Sequence, residues 1–195
     1  TQASIGSGFF VSADGLIVTN FHVASQLALE PERYSGAYVT IDGQEGAVEL
    51  LAFDVQRDLA VLRAKNRTAS APVLEFRPAA EAMAQGERIY SLGNPLDIGF
   101  AVTEGTYNGL VRRSFYPRIF FGGALNPGMS GGPAVDDAGR VLGVNVAKRL
   151  DGEQVSFLIP AEFAQALVQR AAHAQAITQP AYDEVTRQLQ VHQNL

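Results

Sequence analysis

Short runs of β-branched and aromatic residues, separated by turn residues, fill the chain from residue 5 to residue 160. This pattern is typical of all-β sandwiches and barrels. The pair Asp14-Gly15 lies between the first two runs and supplies the positive φ that a hairpin turn needs. Helical periodicity is nearly absent here, so we predict strands at 8–11, 16–19, 37–41, 47–53, 59–63, 88–92, 100–111, 118–121, 140–147 and 155–159.

The spacing of apolar residues changes after Pro160. Apolar side chains then recur at helical intervals up to Ile177, Pro180 interrupts them, and the pattern resumes from Tyr182. We therefore predict a β body over 1–160 and a tail of two helices over 161–195, outside the chemistry. The Ala-, Pro- and Ser-rich stretch 65–85 is expected to cross between two β subdomains.

Composition excludes several classes of protein. The 195 residues are 47% hydrophobic and 18% charged, which favours a globular domain. The absence of cysteine excludes disulfide scaffolds, thiolate zinc sites and cysteine nucleophiles, and three histidines supply metal clusters poorly. The net charge of -5, with scattered basic residues, argues against nucleic-acid binding. No apolar stretch is long enough to span a membrane.

The most informative segment is Asn126 to Pro133, a serine among glycines in a strand-forming neighbourhood. Acyl transfer needs a hydroxyl exposed on a tight turn, with backbone N–H groups directed at the developing oxyanion. Ser130 is the candidate nucleophile, and the N–H groups of Gly128 and Ser130 are the candidate oxyanion donors.

A serine hydroxyl also requires a base, and the base a carboxylate partner. His22 directly follows an apolar strand, whereas His173 and His192 lie in the polar tail. Asp58 stands at the start of an apolar strand and is the candidate carboxylate, with Asp54 as its rival.

Together these segments resemble the trypsin-like serine peptidases, and more closely their HtrA/Deg branch. The resemblance rests on the histidine block from Gly6 to Val23, the aspartate block from Asp58 to Leu62, the serine block from Asn126 to Pro133, and the smaller matches Leu92 to Pro95, Val102 to Gly105, Gly143 to Asn145 and Phe157 to Pro160. The blocks occur in the order of the family, and the match covers roughly residues 5 to 167.

The resemblance implies two six-stranded antiparallel β-barrels, followed here by helices, and a serine endopeptidase that needs no metal or cofactor. Ser130 would attack a peptide carbonyl, His22 would transfer the proton, and Asp58 would orient His22. The expected substrates are unfolded or exposed polypeptide segments, in protein quality control or regulated proteolysis. The expected location is the cell envelope or periplasm. HtrA relatives often form homotrimers through residues ahead of the entry strand, and since almost none precede Gly6, the resemblance gives a homo-oligomer of this kind only weak support.

The sequence departs from the family pattern at Met129, where these enzymes usually carry Asn or Asp before the nucleophile. Activation by an ion pair between that residue and a new amino terminus is therefore excluded. Ordering of the loops 95–103, 121–126 and 148–154 is expected to take its place. No PDZ-like segment follows the β body.

Substrate preference is expected from the residues around the nucleophile. Ala124 stands six residues before Ser130, where enzymes that cut after Lys or Arg carry an acidic residue. Asn145, Val146 and Ala147 are expected to line another wall, which predicts a modest apolar pocket for Val, Ala, Leu or Ile.

A second hypothesis belongs to a different functional class. The chain could be a latent or inactive protease-like module that binds peptides by β-augmentation along residues 145–148. The complete set of His22, Asp58 and Ser130 favours the enzyme.

Overall fold

Strands dominate the fold, as the sequence predicts. The computed structural model describes residues 4–66, 72–94 and 99–193. Its elements are β1 (Phe9–Phe10), β2 (Leu16–Thr19), α1 (Phe21–Leu29), β3 (Gly36–Val39), β4 (Glu45–Asp54), β5 (Leu59–Ala64), β6 (Arg88–Gly93), β7 (Ala101–Val111), β8 (Arg118–Phe121), β9 (Pro133–Val135), β10 (Val141–Leu150), β11 (Glu153–Pro160), α2 (Ala161–Ala171) and α3 (Tyr182–Gln193).

The first unit is an antiparallel sheet in the order β1-β2-β5-β4-β3. All four residues of β2 are buried, and Val18 pairs with Val61 of β5 at the centre of the sheet. A bulge in β4 between Leu50 and Ala52 bends the sheet around its core. Within the described residues this unit has five strands and is a half-barrel, not the closed six-stranded barrel that was expected.

The second unit is a closed barrel of six strands in the order β10-β11-β8-β7-β6-β9. The three-residue β9 pairs with both β6 and β10 and so closes the barrel. The hairpin of β10 and β11 runs from the pair Gly143–Pro160 to the pair Leu150–Glu153. The all-β, two-unit fold class is confirmed.

The connection between the units passes over the surface near residues 72–87. Isolated bridges join Val73 to the first unit and Phe76 to the second. The Arg77 side chain is mostly buried. Its Nη1 lies 2.5 Å from Glu87 Oε2 and 3.4 Å from Oδ2 of the buried Asp136. The predicted crossing at 65–85 includes 67–71, which lie outside the described residues.

Helix α1 contradicts the expectation that helical periodicity is nearly absent before Pro160. Its buried residues Phe21, Ala24 and Ala28 have helical spacing, and Asn20 precedes it with extended backbone as its N-cap. The helices α2 and α3, with a break at Pro180 between them, agree with the prediction. Helix α2 buries Leu167 in an apolar cluster that includes residues of both units.

Candidate active site

His22 and Asp58 form a tightly bonded pair at the start of α1. The His22 Nδ1 lies 2.6 Å from Asp58 Oδ2, and the His22 backbone N–H donates to Asp58 Oδ1 at 2.8 Å. One carboxylate thus fixes the imidazole and satisfies an N–H that the first turn of a helix leaves unpaired. The positive end of the helix dipole favours the negative charge at this place. The His22 side chain is 37% exposed and that of Asp58 is 10% exposed, so the ring can be reached from solvent.

The backbone of Asp58 has an unusual conformation that aims its side chain. Its φ is +55°, a left-handed value that costs a non-glycine residue about 1–2 kcal/mol. The Asp58 carbonyl accepts a 2.9 Å hydrogen bond from the buried Asn20 side chain, which links the two triad-bearing segments. The rival Asp54 instead pairs with Arg57, with its Oδ2 3.0 Å from the Arg57 Nη1. The structure therefore places Asp58, and not Asp54, at His22.

Close backbone contacts explain the glycines that follow Ser130. A Cβ at Gly131, whose φ is +89°, would lie 2.3 Å from the Ser7 carbonyl oxygen. A Cβ at Gly132 would lie 2.1 Å from the Leu92 carbonyl oxygen. Only glycine avoids both clashes without moving backbone, so the serine loop can pack against both units.

Ser7 ties the serine loop to the first unit. Its N–H donates to the Ser130 carbonyl at 2.8 Å, and its hydroxyl donates to the Gly128 carbonyl at 2.6 Å. The same hydroxyl accepts from the Asn94 N–H at 2.9 Å. Within the described part of the chain, the N–H groups of Gly128 and Ser130 donate to no backbone or side-chain acceptor. They are therefore available to an oxyanion.

The Ser130 hydroxyl is bonded to β10. It donates to the Ala147 carbonyl at 2.7 Å and accepts from the Ala147 N–H at 2.9 Å. Among the described residues no hydrogen bond joins Ser130 to His22. The three triad candidates thus fall into a bonded pair and a serine whose hydroxyl is held by the neighbouring strand.

The residues expected to form the substrate pocket have different surroundings. Ala124 is exposed. Asn145 is fully buried, accepting from the Ser91 hydroxyl at 2.9 Å and donating to the Leu92 carbonyl at 3.0 Å. Val146 is fully buried in the core, and Ala147 presents its backbone to Ser130. The pocket itself stays a prediction.

Met129 is fully buried in the core of the second unit. A Cβ at Gly93 would lie 2.9 Å from the Met129 Cα, so the two backbones are in close contact. Of the three loops expected to order the site, 121–126 lies wholly in the described region, whereas residues 95–98 of the first loop lie outside it.

Sequence reasoning missed Lys148 as a neighbour of the triad candidates. Its Nζ lies 4.0 Å from Asp58 Oδ2, and its side chain is partly exposed. The sequence pattern does not indicate this contact, because Lys148 and Asp58 are 90 residues apart in the chain. A basic side chain therefore lies beside the Asp58 carboxylate.

The described residues hold no group of three or more His, Asp or Glu side chains arranged for a metal ion. None of the described helices has the length and apolar character needed to cross a membrane.

Known proteins share sequence with this chain over most of its length. A family model described as trypsin-like peptidase domain matches residues 6–144. The chain is 34% identical over 173 residues to the putative serine protease HhoB of Synechocystis, covering 84% of this chain and 39% of that protein. It is 35% identical over 174 residues to a probable periplasmic serine endoprotease, DegP-like, of Bartonella henselae, covering 86% of this chain and 33% of that protein.

A solved structure gives the same result for the fold. The HtrA-type protease AlgW with a decapeptide superposes with a TM-score of 0.73 and 28% identity, over 86% of this chain and 51% of that one. The chain spans about a third to a half of the length of these relatives. The match over residues 6–144, with HtrA- and DegP-like serine proteases among its relatives, shows that this chain belongs to the trypsin-like peptidase family.

Proposed function

We propose that this chain is a serine endopeptidase domain that cleaves unfolded or exposed polypeptide segments through His22, Asp58 and Ser130. The observation that carries the proposal is the pair His22–Asp58 at 2.6 Å, beside a glycine-rich serine loop with two N–H groups that donate to no acceptor among the described residues. The relatives that are named serine proteases support the same reaction.

The reaction proceeds in two halves. His22 Nε2 takes the hydroxyl proton as Ser130 Oγ forms a bond to the peptide carbonyl carbon. The oxyanion then accepts hydrogen bonds from Gly128 and Ser130 N–H, each donor worth about 10²–10³ in rate. His22 returns the proton to the leaving amine as the C–N bond breaks, which leaves an acyl-enzyme on Ser130. A water molecule, deprotonated by His22, releases the acid and restores Ser130. Asp58 holds the ring and stabilises its charged form throughout.

Before the first step, the Ser130 hydroxyl must break its two hydrogen bonds to the Ala147 backbone. Two neutral hydrogen bonds contribute a net 1–3 kcal/mol together, so the fraction with a free hydroxyl is on the order of 1 in 5 to 1 in 150. Rotation about a side-chain bond is fast, so this fraction scales the rate without adding a slow step. A substrate strand that binds along β10 can use the Ala147 N–H and C=O, and it would then replace Ser130 there.

The finer description rests on the expected pocket residues for the substrate and on the resemblance for location and role. We infer an apolar P1 residue, a periplasmic or envelope location and a role in protein quality control. The DegP-like relatives named as periplasmic support the location. A homotrimer stays a prediction.

A fluorophosphonate probe tests the proposal. Wild-type protein is expected to be labelled at Ser130 and to cleave casein, and both activities are expected to disappear in Ser130→Ala and His22→Ala. His173→Ala, which removes an exposed histidine of the tail, is the matched control and should retain them. Asp58→Asn is expected to lower kcat by about 10⁴ with the fold intact. Wild-type protein that binds unfolded polypeptide but is neither labelled nor cleaves would establish the inactive peptide-binding module instead.

A further inference from the structure

The C-terminal helix α3 is bonded to the loop that carries Asp58. Gln188 Oε1 accepts from the Val55 N–H at 2.7 Å, and Gln188 Nε2 donates to the Phe53 carbonyl at 3.1 Å. The Gln56 side chain donates to the Gln188 carbonyl at 2.5 Å. One residue of the tail therefore makes three hydrogen bonds to the segment that leads directly into Asp58.

The same tail also contacts the helix that carries His22. The Ala181 N–H donates to the carbonyl of Ala28, near the end of α1, at 2.8 Å. Val185 packs against the apolar cluster that includes Phe21, the residue before His22. The tail, expected to lie outside the chemistry, thus touches both elements of the His22–Asp58 pair.

Hydrogen bonds within α3 hold the Gln188 side chain in the orientation in which it contacts the loop. Its Nε2 also donates to Glu184 Oε1 at 3.0 Å, and Glu184 in turn accepts from Arg187 at 2.6 and 2.9 Å. An open groove of about 250 Å³ lies beside Gln188, lined by residues of β4, α2, α3 and the segment between the two helices. Alongside the apolar contact of Val185, the hydrogen bonds of Gln188 therefore join α3 to this loop.

The conformation of Asp58 explains why this junction matters. A left-handed aspartate persists only where its surroundings determine it, and the segment before Asp58 is fixed by Gln188. Both carboxylate oxygens of Asp58 are bonded to His22, one to its backbone N–H at 2.8 Å and the other to Nδ1 at 2.6 Å. A displacement of about 1 Å in such a constellation can lower a rate by about 10².

We propose that Gln188 is a positioning residue for catalysis, through which α3 sets the alignment of Asp58 with His22. This inference rests on the proposed serine endopeptidase function and adds to it a residue outside the active site that positions Asp58. Gln188 acts on the loop and does not touch the substrate.

The test compares Gln188→Met with Gln190→Met in the full chain. Both replace a glutamine of α3 by an unbranched side chain of similar length, but Gln190 is exposed. Gln188→Met is expected to lower kcat on a peptide substrate by about 10- to 100-fold with KM within about twofold. It is also expected to shift or broaden the downfield proton resonance of His22 Nδ1–H, while Gln190→Met resembles wild type in both measurements.

Two outcomes would overturn the proposal. One is a lower Tm in Gln188→Met with unchanged kcat and an unchanged His22 resonance, which would make Gln188 purely structural. The other is an equal effect in Gln190→Met. The resonance does not depend on turnover, so it decides the inference even if wild-type protein proves inactive. If Gln188→Met fails to fold, Gln188→Glu replaces it, because it keeps the acceptor for Val55 and loses the donor to Phe53; an unchanged resonance there refutes the proposal.

Discussion

Ser7→Ala is expected to loosen the loop that carries the proposed nucleophile. The Ser7 hydroxyl joins the Gly128 carbonyl to the Asn94 N–H, and alanine leaves both groups without that partner. Each bond contributes a net 0.5–1.5 kcal/mol, so the expected loss of unfolding free energy is about 1–3 kcal/mol. For a chain of this size, 1 kcal/mol corresponds to about 2–4 °C, and Tm is expected to fall by about 2–12 °C.

The effect of Ser7→Ala on activity follows from the same bonds. Freeing the Gly128 carbonyl allows the loop backbone to turn, and the N–H of Gly128 is a proposed oxyanion donor. Complete loss of one such donor costs about 10²–10³ in rate, which is the upper limit for the fall in kcat. The assays are thermal unfolding, the rate of fluorophosphonate labelling and peptide hydrolysis. Ser4→Ala, an exposed serine in the same segment, is the control. Equal Tm and equal labelling rates for the two variants would refute this account of Ser7.

Three further changes test other parts of the structure. Gly132→Ala places a Cβ 2.1 Å from the Leu92 carbonyl oxygen, so we expect a loss of at least about 1–3 kcal/mol in urea unfolding and loss of labelling; a stable, labelled variant would contradict the contact. Arg77→Met removes ion pairs to Glu87 and to buried Asp136, which keeps Arg140 as a partner, and is expected to lower the unfolding free energy by about 1–3 kcal/mol. An unchanged unfolding free energy would show that Arg140 and solvent satisfy both carboxylates. The pKa of Glu184 is lowered from 4.5 to about 2, chiefly because Arg187 donates hydrogen bonds to it. The ionised Glu184 therefore stabilises the fold above pH 4.5, and this contribution is lost as the pH falls toward 2. Because the Glu184 side chain is 43% exposed, the contribution is less than about 1 kcal/mol. Glu184→Gln is expected to remove this part of the pH dependence of hydrogen exchange in α3.

The strands were predictable because their residues carry the signal locally. The segment Leu16–Thr19 is apolar and β-branched, is followed by a break, and forms the predicted strand with the predicted bounds. The three-residue β9 was missed because Pro133–Val135 is too short to show alternation and exists through its pairing with two neighbours. Helix α1 had a usable signal in Asn20 and the spacing of its apolar residues, but the preceding apolar strand obscured it.

The candidate site was predictable in its residue types and not in its contacts. The sequence singles out His22 and Asp58, and the structure joins them, because His22 lies just after β2 and Asp58 just before β5, at the adjacent ends of two antiparallel strands. The sequence does not show that the Ser130 hydroxyl bonds to Ala147, since a side-chain rotation leaves no pattern in the chain. Gln188 was likewise hidden: its partners lie more than 130 residues away, and a glutamine in a polar helix resembles any solvated residue.

The anchors of the serine loop are apolar or neutral. Met129 is fully buried and apolar, and Ser7 holds the loop by hydrogen bonds between uncharged groups. None of these anchors ionises near neutral pH, so protonation cannot release the loop there. The connection of Asp58 to α3 also depends on the neutral amide of Gln188. Packing by Val185 and hydrogen bonding by Gln188 therefore connect α3 to the elements that carry His22 and Asp58, and neither contact depends on a charge.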